Sequence, residues 1–158
     1  NAIIKKLSLQ RYKFNLMKFS PQNDYLKYWK VVRQWARSKY NLSTSEIEMM
    51  LFLYSEGYFT RKQFEEYNEI MSWDKRRFEN LLREKWIIVW RKRKGRESTL
   101  YELGFSGKRL CASIYKKLNK KEMVSEHERT NPIFNLDADY SKKVYRKIIK
   151  KMNKEMKL

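Results

Sequence analysis

The sequence predicts a mostly α-helical protein that carries one small β-hairpin. Apolar residues recur at spacings of three and four along most of the chain, which is the helical period. The 158 residues include only four Gly and two Pro, so long loops have little room. One run, Trp86-Ile87-Ile88-Val89-Trp90, is apolar, β-branched and aromatic, and it predicts a strand. A hydrophobic content of 42% at this length supports one domain with its own core.

Residues 1–20 form a basic N-terminal arm in which basic and large apolar residues alternate without a clean period. Because large apolar side chains rarely stay exposed, we favour an arm that covers apolar surface. The alternatives are an arm that packs on a partner subunit and one that lies along DNA.

Ser20-Pro21 predicts the start of a helix over residues 21–41, with Ser as N-cap and Pro as first helical residue. The helix has one wide, aromatic-rich face made of Tyr25, Tyr28, Trp29, Val32, Trp35, Ala36 and Tyr40. A face this wide exceeds what one small core covers, so we expect part of it to meet another subunit.

Residues 42–104 contain two capping boxes, Ser43-Thr44-Ser45-Glu46 and Thr60-Arg61-Lys62-Gln63. The first opens a helix that buries Ile47, Met50, Leu51 and Tyr54 and stops at Gly57. The second opens a short helix with Phe64 and Tyr67 turned inward. Ser72 is then expected to cap a third helix, Trp73 to Lys85.

The third helix has two unlike sides. Phe78, Leu81 and Leu82 fall on one side of the helical wheel, and Arg76, Asn80 and Arg83 fall on the other. The strand 86–90 follows, then a charged turn over 91–96, and Thr99-Leu100-Tyr101-Glu102-Leu103 returns as the second strand. Two short helices, the second basic, followed by a basic hairpin are typical of a winged helix-turn-helix.

Residues 105–158 are predicted to be closing helices. The first, Ser106 to Lys120, has Cys111, Ile114, Tyr115 and Leu118 on one face, and 121–136 is a polar connection. Asp137 or Asn135 caps a last helix whose narrow stripe comprises Tyr140, Val144, Ile148, Met152 and Met156. We expect this stripe to dock against the first helix or a second chain.

The charge of the chain points to a polyanionic partner. The formal net charge is +19 and the pI is about 10, which favours nucleic acid first and an anionic membrane second. The net charge is +9 over 1–41, −4 over 42–70 and +7 over 71–96, so its sign switches just before the basic helix. No apolar run approaches the roughly 20 residues of a membrane span, and the first residues lack a secretory apolar region. We therefore expect a cytoplasmic protein without a membrane partner.

The order of elements over about residues 21–157 resembles the MarR-type regulators (multiple antibiotic resistance regulator family). Leu42-Ser43-Thr44-Ser45-Glu46 is similar to the family's entry to its second helix. Leu103-Gly104-Phe105-Ser106-Gly107-Lys108-Arg109-Leu110 looks like its Leu-Thr-x-x-Gly-x-x-Leu segment after the wing. Two positions depart from the pattern, since Trp86 replaces a usual Gly and Gly95-Arg96-Glu97 replaces an Asp-x-Arg pair.

The resemblance implies a homodimer joined by its first and last helices, 21–41 and within 105–158, and bound to palindromic operators. The expected interface residues are Tyr25, Tyr28, Trp29, Val32, Tyr140, Val144, Ile148 and Met152. The winged helix-turn-helix core then spans 42–104.

Ten side chains are the expected contacts to double-stranded DNA. Those of the recognition helix 73–85 are Ser72, Lys75, Arg76, Arg77, Asn80 and Arg83, and those of the wing 91–98 are Arg91, Arg93, Lys94 and Arg96. Arginine can bind guanine and asparagine adenine in the major groove, whereas lysine mostly meets phosphate. The arginines of the wing suit the backbone or a narrow minor groove.

Other chemistry is not indicated. A single cysteine, Cys111, excludes an internal disulfide and a cysteine zinc site, and we interpret it as a buried small hydrophobe rather than a redox sensor. The single histidine, His127, lies in the polar connection, so a metal site or a Ser-His-Asp arrangement lacks parts. Trp73, Trp86 and Trp90 are expected in the core rather than stacked on bases. We predict no enzyme, no cofactor and no metal.

Three functional hypotheses follow. The first is a dimeric, sequence-specific transcriptional regulator, for which a small-molecule effector is possible but not indicated. The second is an architectural, nucleoid-type DNA-binding protein with low sequence specificity, which the excess charge favours. The third is an adaptor in a replication or transcription machine that binds protein through its aromatic helices.

Overall fold

The computed structural model describes residues 25–71, 75–137 and 139–157, without the side chains of 75–77. Within these ranges six helices and one two-stranded antiparallel sheet follow one another. They are α1 (Tyr25–Tyr40), α2 (Thr44–Glu56), α3 (Arg61–Met71), α4 (Lys75–Arg83), β1 (Ile87–Arg91), β2 (Leu100–Leu103), α5 (Phe105–Leu118) and α6 (Tyr140–Met156), with a 3₁₀ turn at Pro132–Phe134. The predicted mostly helical fold with one hairpin is confirmed.

Both capping boxes form as predicted. The Glu46 N–H donates to the Ser43 hydroxyl (3.2 Å) and the Ser43 N–H donates to the Glu46 carboxylate (2.7 Å). Thr60 and Gln63 exchange the same pair of bonds, at 3.1 and 2.9 Å. Gly57 ends α2 with φ of 81°, a conformation that side chains disfavour. The entries to α2 and α3 are therefore fixed by local side chains.

Several predicted boundaries are wrong by a few residues. Asp139, not Asp137 or Asn135, caps α6 by accepting from the Lys142 N–H (2.8 Å). Arg146 donates to the carbonyls of Ile133 (2.6 Å) and Asn135, which holds 133–135 in the 3₁₀ turn and delays the helix. The predicted start of the first helix at residue 21 lies outside the described residues.

The hairpin is anchored to the helices by a short third pairing. Phe59, fully buried between α2 and α3, donates to the Tyr101 carbonyl (3.0 Å) and accepts from its N–H (2.8 Å). Ile87 pairs with Leu103 and Val89 with Tyr101, and the register becomes irregular between Val89 and Arg91. The hairpin is thus hydrogen-bonded to the segment between α2 and α3 at its base, while its turn is exposed.

The core lies where α1, α2 and α5 meet, and α6 closes it against α1 and the 3₁₀ turn. Its buried side chains include Trp35, Ile47, Leu53, Ile114 and Met152. On α2, Met49 and Leu53 are buried, whereas Tyr54, predicted inside, is exposed. On α5, Cys111 and Ile114 are buried as predicted.

The predicted interface residues divide into two groups. Tyr28, Val32 and Met152 are buried in the chain's own core, so assigning them to a subunit interface was wrong. The physical reason is that α6 packs on α1 within one chain and covers that part of the aromatic face. Trp29 and Ile148 are half-buried against the core. Tyr25, Tyr140 and Val144 are exposed.

Candidate nucleic-acid interface

Helix α4 is held to the fold by its apolar side, as predicted. Phe78 and Leu81 are fully buried. The Phe78 ring packs against Phe64 of α3 (4.7 Å between centroids) and, edge-on, against Tyr101 of β2 (5.2 Å). Because α3, α4 and the hairpin share these rings, the outward side of α4 has a fixed orientation.

A charged contact reinforces the junction of α3 with α4. The Arg61 guanidinium lies over the Phe78 ring (4.6 Å to the centroid) and forms an ion pair with Glu79. Arg61 also lies 4.0 Å from the Glu65 carboxylate. The Glu79 carboxylate therefore serves the packing of α4 against α3, through Arg61.

The structure describes two side chains of the outward stripe of α4, Asn80 and Arg83. Asn80 is half-exposed and Arg83 is exposed, and the Arg83 guanidinium donates to the Asn80 side-chain oxygen (2.6 Å). This oxygen can accept a second hydrogen bond, so the pair can still meet a base edge. Ser72 lies outside the described residues. The backbone of Lys75, Arg76 and Arg77 is helical, but their side chains also lie outside the described part.

The C-terminal end of α4 is locked to the hairpin. The helix ends at Arg83 rather than Lys85, because Lys85 takes φ of 62° and the Trp86 N–H donates back to the Leu81 carbonyl (2.8 Å). Gly104 donates to the Trp86 carbonyl (2.7 Å), and a Cβ at Gly104 would lie 2.3 Å from the Lys85 carbonyl oxygen. This close approach sets the position of the hairpin relative to α4.

The turn of the hairpin, residues 92–98, is exposed. Gly95 has φ of 58°, and Lys94 and Glu97 exchange backbone hydrogen bonds (3.1 and 3.0 Å) across the tip. Arg91 is half-buried and pairs with Glu97 (3.3 Å), so it braces the turn. Arg93 is held by the Gly95 carbonyl (3.3 Å).

The most available cations of the turn are Lys92, Lys94 and Arg96. All three are exposed, and none forms an ion pair with another residue that the structure describes. Lys92 was missing from the predicted contacts, although it belongs to the same basic run. The turn therefore has three exposed positive side chains, whereas Arg91 and Arg93 contact other residues of the hairpin.

The tryptophans are placed differently from one another. Trp86 is half-buried and packs edge-on against Tyr40 (5.9 Å), in line with a core role. Trp90 is 48% exposed and lies against Tyr58 (4.3 Å), so its predicted core position was wrong. The sheet has only two strands and the core covers one side of it, which leaves this face of β1 open. Trp73 lies outside the described residues.

A buried charge that the sequence did not reveal lies on α5. Lys117 is 3% exposed; its ammonium pairs with Glu122, donates to the Ser113 hydroxyl (3.0 Å) and lies 4.2 Å from the Trp35 ring centroid. Burial lowers the pKa of Lys117, and the Glu122 carboxylate opposes that shift. The pair borders a cleft of about 350 Å³. Its hydrogen bonds are satisfied internally, so we interpret it as structural.

Cys111 and His127 are the single cysteine and the single histidine of the chain. Cys111 is fully buried, and burial raises the pKa of its thiol to about 12. His127 accepts from the Arg129 N–H (3.2 Å) within a local turn. In the part of the chain described above, no three His, Cys, Asp or Glu side chains are placed to hold a metal ion.

Comparison of the chain with protein families, curated proteins and solved structures gave no match. Among the described helices, none is both long and apolar enough to cross a membrane.

Proposed function

We propose that the protein binds double-stranded DNA as a winged helix-turn-helix of the MarR type and acts as a transcriptional regulator. One observation carries the proposal: a helix fastened by Phe78 and Leu81 turns Asn80 and Arg83 outward beside an exposed basic hairpin turn. An α-helix fits the major groove of B-DNA, and an adjacent basic turn can reach the backbone or the minor groove.

Helix α4 and the hairpin turn are expected to contact different parts of the DNA. Asn80 and Arg83, with Arg76 one turn earlier, carry the hydrogen-bonding groups that distinguish base edges. Lys92, Lys94 and Arg96 of the turn are point charges or flexible guanidinium groups suited to phosphates. Arg91 and Arg93 contribute mainly by holding the turn in shape, since their guanidinium groups contact Glu97 and the Gly95 carbonyl.

A matched pair of salt titrations tests this division. Asn80→Ala is expected to cost about 1–3 kcal/mol on a site selected from random DNA and much less on random DNA. Lys94→Ala is expected to weaken both DNAs equally and to make the slope of log K against log salt shallower by about 0.9. Lys30→Ala, on the exposed side of α1, is the control. If neither variant differs from this control, α4 and the turn do not form the interface.

A homodimer is part of the proposal, with an interface smaller than the sequence predicted. Tyr25 on α1 is exposed and Trp29 is half-buried, and Leu26 beside them is exposed as well. These side chains form an apolar patch suited to a two-fold contact. Light scattering at micromolar concentration that shows a monomer would contradict the dimer, as would a footprint without two-fold symmetry.

An architectural role is the second candidate. It is favoured by the net charge of +19 and by the exposed lysines of α6, which exceed what a site-specific protein needs. The ratio of affinity for the selected site to affinity for random DNA decides between the two. A regulator needs a ratio of roughly 10³ or more, whereas an architectural protein gives a ratio near one.

A further inference from the structure

Helix α6 has two chemically opposite sides. Ile149, Met152 and Asn153 are buried against the rest of the chain. The other side is exposed and carries five lysines: Lys143, Lys147, Lys150, Lys151 and Lys154. At 100° per residue these five positions fall within an arc of about 100°, roughly opposite Met152. The lysines therefore form one straight stripe along the helix, here called the α6 lysine stripe.

The α6 lysine stripe has few acidic neighbours to balance its charge. Among the residues described, none of its five members forms an ion pair. Pairs within the stripe, such as Lys143 with Lys147 and Lys150 with Lys154, lie four positions apart, and like charges at this spacing destabilise a helix. The acid of α6, Glu155, accepts from the Tyr28 hydroxyl and pairs with Lys27 (3.7 Å); the Tyr28 hydrogen bond, and then the charges of Lys27 and of Lys151 of the stripe, lower the pKa of Glu155. A bound polyanion would relieve this repulsion.

The stripe lies apart from the candidate interface on α4. Helix α6 packs on α1 and on the 3₁₀ turn, whereas α4 contacts β1 and, through Phe78, the Phe64 ring of α3. The two basic surfaces thus belong to different parts of the fold.

We propose that the α6 lysine stripe is a second DNA-binding surface, which takes the phosphate backbone of a duplex. Lys143 to Lys154 span about 16 Å at 1.5 Å per residue, and a B-form duplex carries about ten phosphates along that length of its axis. The lysine ammonium is a compact charge and lacks the paired, planar hydrogen-bond donors of arginine, so such a stripe binds phosphates and does not distinguish base sequence. Together with α4 and the hairpin, it allows one chain to hold two duplex segments.

An anionic membrane fits this surface less well. A helix that lies on a membrane inserts an apolar face between the lipid headgroups. The apolar side of α6 is already buried in the core, and its exposed side has only Tyr140 and Val144, both near the helix start. The exposed side offers charge over nearly three turns and little apolar surface.

The test compares two triple variants of equal charge. Lys147, Lys150 and Lys154 are changed to Gln in one protein, and the exposed Lys30, Lys116 and Lys121 are changed to Gln in the other. Gln is a good helix former, so both proteins should fold, which circular dichroism checks. On a random-sequence duplex, the stripe variant should make the slope of log K against log salt shallower by about 2.7. The control should change it by less than about 0.5, and Lys→Arg at the three stripe positions should restore it.

A bridging assay separates this proposal from the proposed function. Duplex DNA fixed on beads captures a second, labelled duplex only if one protein particle holds both. The stripe variant should lose capture of the labelled duplex while it still binds the fixed one. A turn variant with Lys92, Lys94 and Arg96 changed to Gln tests α4 and the hairpin independently.

Two outcomes would overturn the inference. One is a stripe variant with an unchanged salt slope and unchanged bridging, while the turn variant loses binding; the proposed function would then stand alone. The other is stripe-dependent binding to vesicles of anionic phospholipid without any stripe-dependent binding to DNA. If the stripe variant loses binding and the turn variant does not, the second surface stands and the α4 interface fails.

Discussion

The placement of α6 depends on one buried asparagine, and removing its side chain gives a sharp prediction. Asn153 is 4% exposed; its amide donates to the Val124 carbonyl (2.7 Å) and accepts from the Val124 N–H (3.1 Å). It also donates to the Glu126 carboxylate (2.9 Å). The Asn153 side chain thus bonds both the N–H and the carbonyl of Val124, and these two hydrogen bonds attach the connection after α5 to α6.

The expected cost of Asn153→Ala follows from the burial of Val124. Val124 is 1% exposed, so water cannot easily replace the lost partner of its N–H and carbonyl groups. Each of these two orphaned buried groups costs about 1–3 kcal/mol, so the free energy of unfolding should fall by about 2–6 kcal/mol. That is a large part of the roughly 5–15 kcal/mol that stabilises a domain.

Equilibrium unfolding in urea measures this loss. Asn135→Ala is the matched control, because Asn135 is exposed and the same truncation there should change stability by less than about 0.5 kcal/mol. The reasoning is refuted if Asn153→Ala loses no more than this control, since the Val124 groups would then be satisfied without the side chain. The loss should also lower DNA bridging, since α6 would lose one of its attachments to the rest of the fold.

Two further predictions concern buried groups of α5. Glu122→Gln removes the ion-pair partner of the buried Lys117 and should cost about 1–3 kcal/mol of stability. The double variant Glu122→Gln with Lys117→Met should recover most of that stability. If Glu122→Gln alone leaves stability unchanged, the pairing does not stabilise the protein. Burial raises the pKa of Glu122, but hydrogen bonds from Lys117 and Ser113 outweigh burial and bring this pKa below the ordinary 4.5. The stability that the ionised Glu122 contributes is therefore present above pH 4.5 and is lost as the pH falls through the lower pKa of the folded state. Urea unfolding at several pH values would show this loss. For Cys111, whose pKa burial raises to about 12, we expect negligible labelling by a thiol reagent at pH 8 until the protein unfolds, and peroxide should leave DNA binding unchanged. Reversible loss of binding on peroxide treatment, absent in Cys111→Ser, would show the opposite.

Local chemistry made the first half of the fold predictable. The capping boxes of α2 and α3 join residues three apart, so their hydrogen bonds depend on local sequence and need no tertiary partner. The inward side of α4 followed from helical periodicity, which Phe78 and Leu81 obey. The hairpin followed from its β-branched run and its Gly95 turn.

Long-range contacts decided the features that periodicity missed. The sequence offered Asp137 or Asn135 as the cap of α6, whereas Asp139 caps it in the structure, because Arg146 holds the preceding 3₁₀ turn. Periodicity identified an apolar face on α1 but not its partner, and Tyr28 and Val32 proved to be covered within the chain. The Asn153 bonds to Val124 span 29 residues, a separation at which sequence pattern gives no signal.

The net charge of the chain changes sign between residues 42–70, which are acidic, and residues 71–96, which are basic, and the structure shows where several of these charges lie. The acidic stretch 42–70 forms α2 and α3, whose carboxylates serve contacts within the fold: Glu48 pairs with Arg33 (3.6 Å) and Glu65 with Arg61 (4.0 Å). In contrast, no ion pair with another described residue is formed by Lys92, Lys94 or Arg96 of the hairpin turn or by the α6 lysine stripe. In the described part of the chain, the hairpin turn and the α6 lysine stripe are therefore two exposed surfaces whose lysines have no ion-pair partner. Self-repulsion opposes that arrangement in an isolated domain, and neutralisation by phosphates favours it, so added duplex DNA should raise the melting temperature most at low salt.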